Sequence, residues 1–231
     1  MREIVVDTET TGLDPLDGHR LVEIGCVELI NGIPSGQTFH RYFNPERSMP
    51  PEAFAVHGLS DEFLKDKLLF AEAADDLLAF LGDAPLVIHN AAFDLAFINA
   101  ELERAGRPPI RRERLIDTLI IARRKHPGGS NRLDDLCARY AIDSSGRTKH
   151  GALLDAQLLA EVYVELIGAR QAQLVLSQAT LPSQTSAEFS IVRQRLLPLP
   201  ATVTDEERRA HRAFIATLGD NAIWRDYLSP D

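Results

Sequence analysis

The chain has 231 residues, 45% hydrophobic and 26% charged, and a net charge of −9, which suits one domain of ordinary size plus an appendage. Two cysteines, Cys26 and Cys137, are too few for a disulfide framework and read as reduced, buried thiols. No apolar run reaches the ~20 residues of a membrane span, and Arg2 and Glu3 interrupt the start before a signal-peptide core could form, so the expected location is the cytoplasm.

Residues 3–8 form a short apolar run closing on polar residues, the pattern of a buried strand whose end faces a site. Asp7 and Glu9 are two apart at that end, so both side chains point to one face. Apolar neighbours make such a pair costly unless it binds something, and Thr10-Thr11-Gly12 adds backbone donors in a turn suited to a nucleotide's end. Residues 21–30 read as a second strand, Asn31-Gly32 as a hairpin turn, and residues 37–43 as a third strand.

Alternation follows. Residues 72–81 carry apolar side chains at helical spacing, and residues 85–89 form a short buried strand. Asn90 is the expected N-cap of a helix over 91–105, which puts Asp94 in its first turn, where a helix dipole also favours a carboxylate. Residues 114–117 predict a fifth strand with helices after it. Here Asp117 reads as a helix cap, Asp134 and Asp135 as first-turn acids, and His89 as a locally packed ring, none of them a metal ligand. Residues 152–166 are a strong amphipathic helix with Asp155 in its first turn, and His150 just precedes it beside Gly151. Three strands followed by alternating helices and strands predict an α/β fold of three layers, a central mixed five-stranded sheet flanked by helices, over residues 1–168.

Residues 169–203 turn rich in Gln, Ser, Thr, Ala and Pro and read as a flexible linker. Residues 204–231 begin with a helix start at Thr204-Asp205-Glu206-Glu207 and include the only tryptophan, Trp224, expected to meet a partner. Charge is unevenly spread, with net −11 over residues 1–100, +5 over 101–150 and −3 over 151–231. Most of the basic excess reads as a solvated face, with a few arginines left to contact phosphates. An acidic chain does not hold DNA tightly unaided, so substrate is expected to be delivered by another protein.

Each short motif has an ordinary structural explanation, but Asp7, Glu9, Asp94, Asp155 and His150 all fall at element ends. Four gathered carboxylates repel one another and stay protonated unless cations neutralise them. Hard oxygen ligands suit Mg²⁺ or Mn²⁺, and a histidine near pKa ~6.5 suits a general base at neutral pH. The pattern points to metal-dependent phosphodiester cleavage.

Three segments carry a resemblance: residues 7–12 (DTETTG), 89–94 (HNAAFD) and 150–155 (HGALLD). They resemble the motifs of the DEDDh exonucleases, and most closely the DnaQ group of proofreading subunits of bacterial replicative polymerases. Residues 51–58 and 131–140 are similar to further segments of that group. The resemblance implies a ribonuclease H-like fold and 3′→5′ exonuclease action on a single-stranded or mispaired DNA 3′ terminus. It implies two divalent ions held by Asp7, Glu9, Asp94 and Asp155, with His150 as general base and Glu52 and His57, with Asp7, Glu9 and Asp155, at the terminal nucleotide. Gln171, Leu174 and Leu176 resemble a sliding-clamp peptide, with residues 184–189 a poorer candidate. Trp224 and the last helix resemble the segment that binds the polymerase III catalytic (alpha) subunit; the sequence leaves open whether a small accessory subunit is a further partner. The rival readings are a DEDDh exoribonuclease acting on short RNA, which the long tail argues against, and an idle adaptor between polymerase and clamp, which five filled catalytic positions argue against.

Overall fold

The computed structural model describes residues 1–146, 149–168, 203–219 and 223–224. It divides into two units, Met1–Val175 and Leu176–Asp231. In the first, the expected three strands, β1 (Arg2–Thr10), β2 (Leu21–Ile30) and β3 (Ile33–Tyr42), form an antiparallel meander. Asn31 and Gly32, with φ of 53° and 77°, make the hairpin turn whose twist matches the flanking strands. β3 starts earlier than the sequence suggested because it is the edge strand, where Pro34 and Gly36 are tolerated.

Two short helices follow, α1 (Pro51–His57) and α2 (Asp61–Leu64), then α3 (Phe70–Leu81), β4 (Leu86–Ile88) and α4 (Ala91–Arg104). β5 (Leu115–Asp117) leads into α5 (Thr118–Lys125), α6 (Leu133–Tyr140) and α7 (Ala152–Leu166). Strand order is β3-β2-β1-β4-β5, with β1, β4 and β5 mutually parallel, so the sheet is mixed and β1 is central.

Alternation along β1 divides the core. Ile4 and Val6 point to one face and pack with Phe70, Leu77, Phe97 and Ile98 of α3 and α4. Val5 points to the other and packs with Val27, Val87 and Leu159 of α7. Outside α7, Ala122, Leu136 and Cys137 of α5 and α6 meet Leu158 and Val162. Fully burying each of these large side chains contributes roughly 1.5–3 kcal/mol, enough to hold three layers together around the sheet. Cys26 and Cys137 are free and buried.

In the second unit α8 (Asp205–Thr217) starts with a capping box, in which the Thr204 hydroxyl accepts from Glu207 N and the Glu207 carboxylate accepts from Thr204 N. Trp224 is exposed, its ring edge-on to His211. Among the described residues no helix is long and apolar enough to cross a membrane.

Candidate active site at the end of the central strand

β1 outruns its parallel neighbour. Its pairing with β4 ends at Val5–Val87, while its antiparallel pairing with β2 continues to Thr10. Past Val5 the strand is paired on one side only, and its end borders a cavity of about 890 Å³ lined by Asp7, Glu9, Asp94, His150 and Asp155, among others. Five residues from three distant segments therefore share one cavity. Asp7 is half-buried and Glu9 buried, on the same face of β1 as Val5 and hence on the α7 side. Thr8 faces the other layer, where its Oγ1 donates to Asp94 Oδ1 at 2.6 Å.

Asp94 is 4% exposed, and burial pushes its carboxyl up to about 7 even though the Thr8 hydrogen bond favours the charged form. Its place depends on the start of α4, where the expected cap is not the one observed. Asn90 occupies the N-cap position with a left-handed φ of 65°, but its side chain makes no capping bond. The Asp117 carboxylate accepts from Asn90 N and Ala91 N instead, and also from Leu119 N at the start of α5. Asp117 is a cap, as expected, but for two helices at once.

Asp155 arrives from the opposite layer by close approach of backbones. Gly25 pairs with Asp7 across β1 and β2, and a Cβ there would lie 2.3 Å from Ala152 C and Leu153 N. Only glycine lets the first turn of α7 sit this deep. Asp155 is buried, and the His150 Nδ1 lies 3.1 Å from its Oδ2. The segment before α7 rests on α1: Lys149 Nζ lies 5.0 Å from the Phe54 ring centre, and His150 N donates to Val56 O at 3.4 Å. Candidate ligand atoms of Glu9, His150 and Asp155 lie within 4.8 Å of one another. Asp7 and Asp94 line the same cavity outside that tight group.

A second cavity, about 540 Å³, shares Thr8, Glu9 and Phe93 with the first and is otherwise lined by Gly12, Glu52, Val56 and His57, among others. The His57 Nδ1 accepts from Leu59 N at 3.0 Å, which leaves the proton on Nε2. That Nε2 is buried without a hydrogen-bond partner among the described residues, although the Thr10 carbonyl lies near. Burial lowers the ring's pKa, so the neutral form is favoured. The turn after β1 offers fewer donors than expected, since Thr11 N is spent on the Arg20 carbonyl.

The residues set aside as structural are placed as follows. Both ring nitrogens of His89 are engaged, by Thr118 Oγ1 at 2.8 Å and Asn131 O at 2.9 Å. Asp135 accepts from Ser130 Oγ, and Asp134 lines the first cavity without joining the close group. Gln171, Leu174 and Leu176 and residues 184–189 lie outside the described residues. Sequence reasoning missed Gly25, whose role depends on a contact 127 residues away. It also missed α1 as an element, although Pro51 at its first turn and Gly58 just past its end (φ 73°) are a start and stop signal. The donor set of four carboxylates and an imidazole fits a hard divalent cation, and Asp94 is held where a cation would reverse the cost of its charge.

Comparison with known proteins gives a consistent result. The sequence pattern of the exonuclease family matches residues 4–163. The DNA polymerase III epsilon subunit of Rickettsia felis is 47% identical over 222 residues, covering 94% of this chain and 97% of that protein. The Escherichia coli epsilon subunit is 44% identical over 236 residues, covering 97% of each. Among solved structures, exonuclease X in complex with 5′ overhanging duplex DNA superposes with a TM-score of 0.56 at 25% identity, over 72% of this chain and 92% of that one. The nuclease domain of 3′hExo, a DEDDh family member bound to rAMP, gives a TM-score of 0.59 over 73% and 92%, and at 18% identity speaks for the fold alone.

Proposed function

The chain belongs to the exonuclease family and, within it, to the epsilon subunits of DNA polymerase III, and it is a proofreading 3′→5′ exonuclease; we propose that the cluster at the end of β1 is its active site. The family uses divalent metals, and in this reading Asp7, Glu9, Asp94 and Asp155 hold two ions, Mg²⁺ or Mn²⁺. Bound there, the ions would neutralise the scissile phosphate and acidify the attacking water. The observation that carries the reading is that carboxylates from both faces of the sheet meet at one open strand end, the α7 face supplying Asp7, Glu9 and Asp155 and the α4 face Asp94.

His150 is the general base. Its contact through Nδ1 with Asp155 orients the ring and leaves Nε2 to accept the water's proton. The 3′-terminal nucleotide occupies the second cavity against Glu52 and His57, with the orphaned His57 Nε2 as a donor awaiting an acceptor. The leaving strand keeps its 3′ oxygen and the product is a nucleoside 5′-monophosphate. His150→Ala should slow hydrolysis of a mispaired primer terminus by roughly 10²–10⁴; an unchanged rate removes His150 from this role. Matched DNA and RNA oligomers assayed side by side should show DNA preferred, and equal or faster hydrolysis of RNA would favour the exoribonuclease reading.

We further infer a division of labour along the chain, with a nuclease domain over 1–168, a linker over 169–203 and a docking tail over 204–231. An exposed Trp224 beside a well-capped α8 supports binding of the alpha subunit through the tail. Gln171, Leu174 and Leu176 are proposed as a clamp peptide, and the setting of replication makes the protein cytoplasmic. A pull-down with the polymerase catalytic subunit should succeed with the full chain and fail with a chain cut after Gly168; retained binding after the cut would refute the tail's role.

A further inference from the structure

The basic residues between the second and third motifs are not equivalent once their partners are known. Arg104 is held by Glu101, Arg107 by Asp75, Arg114 by the Ala84 carbonyl and Lys125 by the carbonyls of Glu165 and Leu166. Arg123 on α5 and Arg132 at the N-cap of α6 are exposed, and neither has a hydrogen bond or ion pair among the described residues. Both line the cavity that holds the four carboxylates. His89 lines the same cavity, and burial, with the Arg123 charge adding to it, holds its ring below its usual range.

The two cavities give the strand a direction. They meet at Thr8, Glu9 and Phe93. A nucleotide seated against Glu52 and His57 in the second cavity puts its 5′ phosphate at the carboxylates. The remaining chain must then leave through the first cavity, past α5 and the start of α6. Two guanidinium groups unpaired among the described residues and beside an acidic cluster suit an anion that arrives with the substrate, and a planar guanidinium matches phosphate oxygens two at a time. We propose that Arg123 and Arg132 hold the phosphates of the strand upstream of the scissile bond. This rests on the active-site reading above. It makes the two arginines substrate-positioning residues that set affinity for a polynucleotide rather than the chemistry of cleavage.

The test is steady-state hydrolysis of a single-stranded DNA oligomer by the full-length protein with Mg²⁺, from about 50 to 200 mM KCl. The double variant Arg123→Ala/Arg132→Ala should raise KM about tenfold and leave kcat within about threefold, because contacts shared by ground and transition states act on binding. The slope of log(kcat/KM) against log[salt] should become shallower by about 1.4, at ~0.7 per lost phosphate contact on a single strand. Arg123→Lys/Arg132→Lys should recover most of the slope, a result that a purely structural role would not give. Arg124→Ala, which removes a neighbouring charge outside the cavity, should keep the wild-type slope. Unchanged KM and slope in the double variant would overturn the proposal while leaving the active site standing; a wild-type protein that does not hydrolyse the oligomer would remove the active-site reading itself.

Discussion

Two helices each bring a first-turn aspartate to the end of β1, from opposite layers and by different means. α4 is positioned by hydrogen bonds: Asp117 caps its start and Thr8 pins Asp94. α7 is positioned by contact of backbones, since Gly25 lets Ala152 and Leu153 lie where any Cβ would stand. The difference matters because hydrogen bonds can be lost one at a time, at about 1 kcal/mol each, whereas two backbones in contact leave no soft side chain to yield. The α7 side should therefore fail steeply and the α4 side gradually.

The sharpest way to break this contrast is Gly25→Ala. One methyl group should push the first turn of α7 outward and cost about 10²-fold in kcat, the order expected for a displacement near 1 Å. It should also cost roughly 1–3 kcal/mol of stability through overpacking, read by denaturant unfolding; wild-type activity would show that α7 is not held by this contact. A smaller effect belongs to Asp94. Its carboxyl is raised from 3.8 to about 7 in the fold, so its contribution to stability is full below pH ~4 and is lost as pH rises through about 7. The metal-free protein should thus lose a few kcal/mol over that window, and Asp94→Asn should abolish the loss. Thermal melts with and without Mg²⁺ should show stabilisation by the ion growing from pH 5.5 to pH 8, and an effect independent of pH would contradict it. The smallest change is Asp117→Ala, which removes caps from α4 and α5. It should lower stability by about 1–2 kcal/mol and slow hydrolysis only several-fold, measured by unfolding and steady-state rates.

What was legible in the sequence follows the range of the signal. β2 and α7 were read to their observed ends because alternation and helical spacing are local patterns. The Asn31-Gly32 turn was equally plain. The five site residues stood at element ends in the sequence, and the fold brings them to one cavity. Asn90 was misjudged as a side-chain cap because the residue that does the capping, Asp117, sits 26 positions from Ala91. α1 was not seen as a helix because Pro50-Pro51 reads as a break until Pro51 is recognised as a first-turn residue. Gly25 was invisible because a glycine inside a strand declares its reason only when the helix above it is known. Arg123 and Arg132 were hidden in a run of basic residues, because only the fold shows which of them line the cavity.

The most direct test of the central claim is hydrolysis of a mispaired primer terminus by the wild-type chain and by Asp7→Ala, each with Mg²⁺ and with the metal chelated. Wild-type protein should release 5′-monophosphates only with the ion present, and Asp7→Ala should be nearly inactive in both conditions. Hydrolysis by Asp7→Ala at the wild-type rate, or full wild-type activity under chelation, would contradict a metal-dependent site at the end of β1.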